Sequence, residues 1–213
     1  MDKETRALVT LSAALAAEDP EAFSAAVDRA IADADPVAVE EALLQSYLFL
    51  GYPAALGGLA VWRERSGRPA GDPAPEDWGA WADRGARVCA AVYGGQYERL
   101  RANIARYHPD MERWMVVEGY GKVLGRPGLA LKTRELCIVA ILAVRGARVQ
   151  LYSHLRGALN VGAEMAEVES ALACALDYAS EDRARTAWEV WSEVRRRREG
   201  AAALEGRGGN NVR

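Results

Sequence analysis

A glutamate and a histidine nineteen positions apart, Glu135 and His154, are the side chains best suited to chemistry in this sequence. The dense apolar stretch Leu136 to Val144 and then Arg145-Gly146 lie between them, which predicts two antiparallel helices joined by a short turn. With the turn there, Glu135 sits about 15 Å down the first helix and His154 about 13 Å along the second. The two reach similar heights. A carboxylate beside an imidazole orients its tautomer and stabilises its charged form, giving a proton-transfer pair suited to enolisation, lactone chemistry or decarboxylation. The same pair also serves as a buried polar lock between helices, satisfying itself without processing a ligand.

Few other residues compete for a chemical role. Arg156, two positions past His154, falls on another helix face and meets a substrate carboxylate only across an interface. Trp114, Tyr120 and Tyr152 are candidate pocket walls, although helical spacing suits core packing as well. Gly157 and Ala158 permit close helix packing. Cys89, Cys137 and Cys174 form no C-x-x-C pair and no short cluster with His108 or His154, so neither a metal nor a cofactor is expected. Cys137 begins an apolar run and reads as a core thiol, and His108 before Pro109 reads as a helix-start residue.

The elements that must position these groups are helices throughout. Alanine, leucine, glutamate and arginine dominate, and no segment alternates with a period of two. Asp19-Pro20 and Asp35-Pro36 each place an N-cap acceptor before a proline suited to the first helical position. The pattern predicts helices near 3–17, 20–33, 37–50, 53–65, 76–91, 95–106, 109–123, 130–145, 147–161, 164–179 and 182–198. Prolines and glycines at 67–77 mark a linker, and the glycine-rich stretch 200–213 reads as a flexible tail. The run Arg195 to Arg198 suits a helix C-terminus, where cations oppose the dipole.

The chain also repeats itself. Thr5-Arg6-Ala7-Leu8-Val9 parallels Thr133-Arg134-Glu135-Leu136-Cys137 at an offset of 128, and Val39 to Leu43 parallels Val168 to Leu172 at 129, as does Trp62 with Trp191. The expected organisation is therefore a first repeat at 1–66, a linker at 67–77, and a second repeat at 78–199. Only the second carries Glu135 and His154; the first has Ala7 and Ala25 or Ala26 in their places, yet keeps Gly51-Tyr52-Pro53-Ala54-Ala55. This division suggests an ancestral homodimer joined into one chain with a single composite site.

Arg134-Glu135-Leu136, His154-Leu155-Arg156-Gly157-Ala158-Leu159-Asn160, and Tyr47 with Gly51, Pro53 and Ala54-Ala55 together resemble the carboxymuconolactone decarboxylase and alkylhydroperoxidase D-like superfamily. The approach Gly121 to Leu129 also looks like that superfamily's segment before its core helix. The resemblance covers about residues 3–65 and 93–190, and its histidine string is the most specific part. It implies an all-α, alkylhydroperoxidase D-like fold built here as an intramolecular pseudo-dimer, with a Glu and His site near a subunit or pseudo-subunit interface. Peroxidase members place cysteines seven and four residues before the histidine, positions held here by Ala147 and Gln150, so that thiol chemistry has no nucleophile. Decarboxylase-like members carry a glutamate where Gln150 stands, which leaves Gln150 as a substrate-binding candidate beside Arg156 and Tyr120. Assembly into rings of domain pairs implies a homotrimer.

With 213 residues, half of them apolar, and a net charge of −3, the chain can bury a sizeable core and projects no strong field toward nucleic acid or an anionic membrane. A small-molecule substrate and a cytoplasmic location are expected, since the charged first residues do not read as a signal peptide and free thiols suit a reducing compartment. The expected activity is non-redox acid–base chemistry on a small carboxylate or lactone, by a decarboxylase, lyase or isomerase. The alternative is a non-catalytic ligand-binding or assembly protein of the same fold.

Overall fold

The computed structural model describes residues 1–208 apart from 74 and 76, so the last five residues of the expected tail lie outside it. Among the described residues there are eleven α-helices and no strand. Local chemistry sets the starts of the first three: Asp2 accepts from the Thr5 N–H at 2.7 Å, Asp19 from Glu21 and Ala22, and Asp35 from Val37 at 2.7 Å. These open α1 (Lys3–Ala17), α2 (Pro20–Asp33) and α3 (Pro36–Gln45). The chain continues through α4 (Tyr47–Ser66), α5 (Trp78–Tyr93), a 3-10 turn (Gly94–Gln96), α6 (Tyr97–Tyr107), α7 (Pro109–Trp114) and a π-helical segment (Met115–Leu124). It ends in α8 (Leu131–Arg145), α9 (Arg148–Asn160), α10 (Met165–Leu176) and α11 (Glu181–Gly208).

Helices α1 and α8 pack against each other at the centre, with α2 and α10 against α1, and α9 and α10 against α8. Every residue from Thr133 to Val144 is buried, as is every residue but Arg6 from Thr5 to Ala16. Helices apolar on all sides can be stable only as such a core. Trp62, Trp191, Leu8, Leu11, Ile138 and Ile141 fill the space between them. The turn between α8 and α9 falls where expected: Gly146 takes the left-handed conformation with φ 68° and its N–H closes the helix end onto Ala143 and Leu142.

Three boundaries differ from those expected, each for a physical reason. Helix α3 stops at Gln45, where the Ser46 hydroxyl donates to the Leu43 carbonyl at 2.6 Å. Inside α4 the backbone then breaks at Gly51, with φ 81°, just before Pro53. The expected helix at 109–123 divides, because from Met115 the backbone widens into the π-helical segment as it crosses α5. At the third, α11 runs to Gly208, so backbone at 200–208 expected to be irregular is helical.

The crossing of α5 and the π segment is closer than side chains allow. A Cβ at Gly121 would lie 2.0 Å from the Trp81 carbonyl oxygen, and one at Gly85 would lie 2.0 Å from that of Val116. Gly121→Ala must therefore push two backbones apart, with an expected loss of about 2–3 kcal/mol in chemical denaturation. Gly119→Ala, on the same segment but with nothing within 4 Å of its added methyl, is the matched control and should stay near wild type. Equal stability of the two variants would contradict this packing.

Among the described residues no single helix is long and apolar enough to cross a membrane; α3 and α4 reach that composition only together, bent by 117°.

Candidate active site

Helix α8 carries Glu135 and α9 carries His154, and the turn at Gly146 brings them level. His154 Nδ1 lies 2.9 Å from Glu135 Oε2, with the carboxylate 0% exposed and the histidine 6% exposed. The expected pair is therefore formed. Space for it comes from Gly157, one turn after His154, where a Cβ would come within 2.8 Å of Glu135 Oε2 and 2.7 Å of Val92 Cγ1. Glu135 Oε1 is buried without a hydrogen-bond partner among the described residues, so the histidine is this carboxylate's sole hydrogen-bonding contact among them.

With the carboxylate ionised, Nδ1 bears the proton and donates it to Glu135, which leaves a lone pair on Nε2. A positive charge on the ring would be stabilised by this carboxylate.

His154 lines a cavity of about 310 Å³. Its walls come from separate parts of the chain: Tyr47 and Phe49 before the Gly51 break, Tyr93 at the end of α5, Trp114 on α7, and Met115, Glu118 and Tyr120 on the π segment. Phe49 meets the imidazole edge to face at 5.5 Å. The Tyr120 hydroxyl donates to that of Tyr93 at 3.2 Å. Among the described residues no arginine or lysine lines this cavity, and its one acidic group is Glu118.

Of the residues expected to bind substrate, Tyr120 lies in this cavity and Arg156 and Gln150 do not; of the other candidate pocket walls, Trp114 lines it and Tyr152 does not. Arg156 points to the opposite side of α9, as its two-residue offset from His154 requires, where its guanidinium stacks 5.8 Å from the Tyr152 ring centre. Gln150 is exposed, one turn before the histidine, and does not line the His154 cavity. Phe49, Tyr93 and Glu118 were not singled out in the sequence. The Gly51 and Pro53 pair is the signal that a sharp break lies just after Phe49. His108 does start a helix, accepting from the Asp110 N–H through Nδ1 at 3.1 Å.

Burial pushes the Cys137 thiol up to about 11, and the Cys89 thiol and Tyr93 phenol up to about 12, with the Glu135 charge adding to the last two. Tyr120 is raised further, first by burial, then by Tyr93 and Glu135. Unfolded, these groups titrate near 9.0 for cysteine and 10.0 for tyrosine, so above about pH 9 the unfolded chain holds fewer protons than the folded one. The stability they contribute is complete below that pH and is lost as pH rises toward 11 to 12. At about 1.4 kcal/mol per pH unit, the total is of the order of several kcal/mol. Urea midpoints compared at about pH 8 and about pH 10.5 should fall accordingly; an unchanged midpoint would show that these groups titrate alike in both states.

Residues 109–193, which include the π segment, Glu135 and His154, match the carboxymuconolactone decarboxylase family. The 4-carboxymuconolactone decarboxylase of Acinetobacter baylyi is 31% identical over 113 residues, covering 52% of this chain and 84% of that protein. The chain belongs to the carboxymuconolactone decarboxylase family. Peroxisomal protein 2 of Schizosaccharomyces pombe is 30% identical over 152 residues, 67% of this chain and 69% of the relative. Peroxisomal protein 2 of Saccharomyces cerevisiae is 28% identical over 120 residues, and there the match spans only 42% of the longer protein. In this family member, Tyr47, Phe49 and Tyr93 of the cavity wall lie outside the 109–193 match.

Proposed function

We propose that this member of the carboxymuconolactone decarboxylase family is a non-redox enzyme that performs acid–base chemistry on a small carboxylate or lactone metabolite. His154 moves the proton through Nε2, and Glu135 orients the ring and opposes its positive charge. The observation that carries this reading is the buried 2.9 Å contact between the two at the wall of a cavity of about 310 Å³. Aromatic walls, a single acid and no lining cation favour a lactone or other uncharged carbonyl compound over a polycarboxylate. Thiol peroxide reduction needs a thiolate, and burial holds Cys89 and Cys137 in the protonated form at neutral pH.

A pseudo-dimer of tandem repeats is part of this proposal. It is supported by the Trp62 indole donating to Glu40 at 3.3 Å and the Trp191 indole to Glu169 at 3.0 Å, the same contact at an offset of 129. Three such chains of 23.1 kDa make a trimer of about 69 kDa by light scattering. A cytoplasmic location suits the free cysteines, with the peroxisome as the alternative raised by two relatives' names.

The test is a panel of uncharged lactones and carbonyl compounds, with 4-carboxymuconolactone as the charged comparison, offered to wild type and to His154→Ala. Product from the wild type alone is the expected result. Equal turnover by both proteins would refute the mechanism, and binding without product from the wild type would assign the chain to the non-catalytic alternative.

A further inference from the structure

On the far side of α9 from His154 lies a second concavity of about 400 Å³, and four guanidinium groups face it: Arg99 from α6, Arg156 from α9, and Arg197 and Arg198 from α11. Among the described residues no carboxylate lines it. In a chain of net charge −3, gathering four positive groups into one cleft is electrostatically unfavourable unless an anion offsets it. Among the described residues Arg99, Arg156 and Arg198 have no acidic partner, while Arg197 pairs with Glu193 at 2.8 Å.

Three of the four arginines are also held in place. Tyr152 is flanked by two of them, with Arg156 at 5.8 Å and Arg197 at 5.6 Å from its ring centre. Arg198 donates to the Asn160 side-chain oxygen at 3.2 Å, and the Asn160 amide donates to the Val92 carbonyl at 2.9 Å. Their side chains are thus partly ordered before any ligand arrives, which lowers the entropic cost of binding. Guanidinium forks match the paired oxygens of phosphate and carboxylate groups.

We infer that this cleft is a binding site for a compact anion bearing two or more negative charges, a phosphate ester or a polycarboxylate. It is separate from the His154 cavity, since the two share no lining residue and lie on opposite sides of α9. Occupancy would join α6, α9 and α11, so it should raise the unfolding temperature as well as release heat on titration.

The experiment is calorimetric and thermal titration at constant ionic strength with inorganic pyrophosphate, citrate, and acetate as a singly charged control. Saturable binding of pyrophosphate, citrate or both, but not acetate, is expected, and which probe binds tells the phosphate source from the carboxylate source. Arg99→Gln/Arg156→Gln should weaken it at least about ten-fold, two charge-assisted contacts being lost. Arg65→Gln, removing one exposed cation that pairs with Asp28 elsewhere, should leave the affinity near wild type. Absence of saturable binding by either probe, or equal affinity in the double variant with its circular dichroism unchanged, would overturn the assignment.

Discussion

Arg134→Met is expected to lower the unfolding free energy by about 3–5 kcal/mol, the usual cost of removing one member of a buried charge network. Arg134 is 0% exposed and donates to Glu41 at 2.7 Å, to Gln45 at 3.3 Å, and to the carbonyls of Leu129, Arg126 and Pro127. Arg126 holds the other side of Glu41 at 2.9 Å. Methionine fills the volume but satisfies none of these acceptors. For a chain of this size the loss corresponds to a drop in melting temperature on the order of 10 °C. Adding Glu41→Gln to Arg134→Met should recover part of it, because the carboxylate left behind is then neutral. A single variant melting within a degree or so of wild type would mean that water replaces the guanidinium without cost.

His154→Ala should reduce kcat/KM on an identified substrate by about 10²–10⁴-fold, the range for removing a general acid or base. The contribution of Glu135 is of another kind, because it touches the ring and not the cavity. Glu135→Gln keeps the shape but cannot favour the imidazolium as a carboxylate does, so it should lower kcat and leave KM near wild type. A loss confined to KM would show that Glu135 only packs against α9.

The sequence foretold the helices whose boundaries rest on local chemistry. Asp19-Pro20, Asp35-Pro36 and Arg145-Gly146 act within a few residues of themselves, so their effect can be read from the string. The Glu135 and His154 meeting was legible for the same reason, since two helices and one short turn fix their heights. What escaped depends on distant contacts. Glu41 meets Arg134 across 93 positions, and the π segment widens where Gly121 and Gly85 meet α5 and π-segment backbone, which no local pattern announces. Arg156 was expected on a different face of α9 from His154 and lies there, while Gln150, a candidate only through the family resemblance, is exposed and does not line the His154 cavity.

Most of the walls of the His154 cavity and the Glu135–His154 pair belong to different parts of the molecule. Glu135 and His154 ride on two adjacent core helices, whereas Tyr47, Phe49, Trp114 and Glu118 hang from a kinked arm and an irregular turn of chain outside them. Substitutions in that outer shell can reshape what enters while the Glu135–His154 pair keeps its geometry, so under the proposed function, diversification of substrate range and preservation of reactivity are open to selection independently in this architecture.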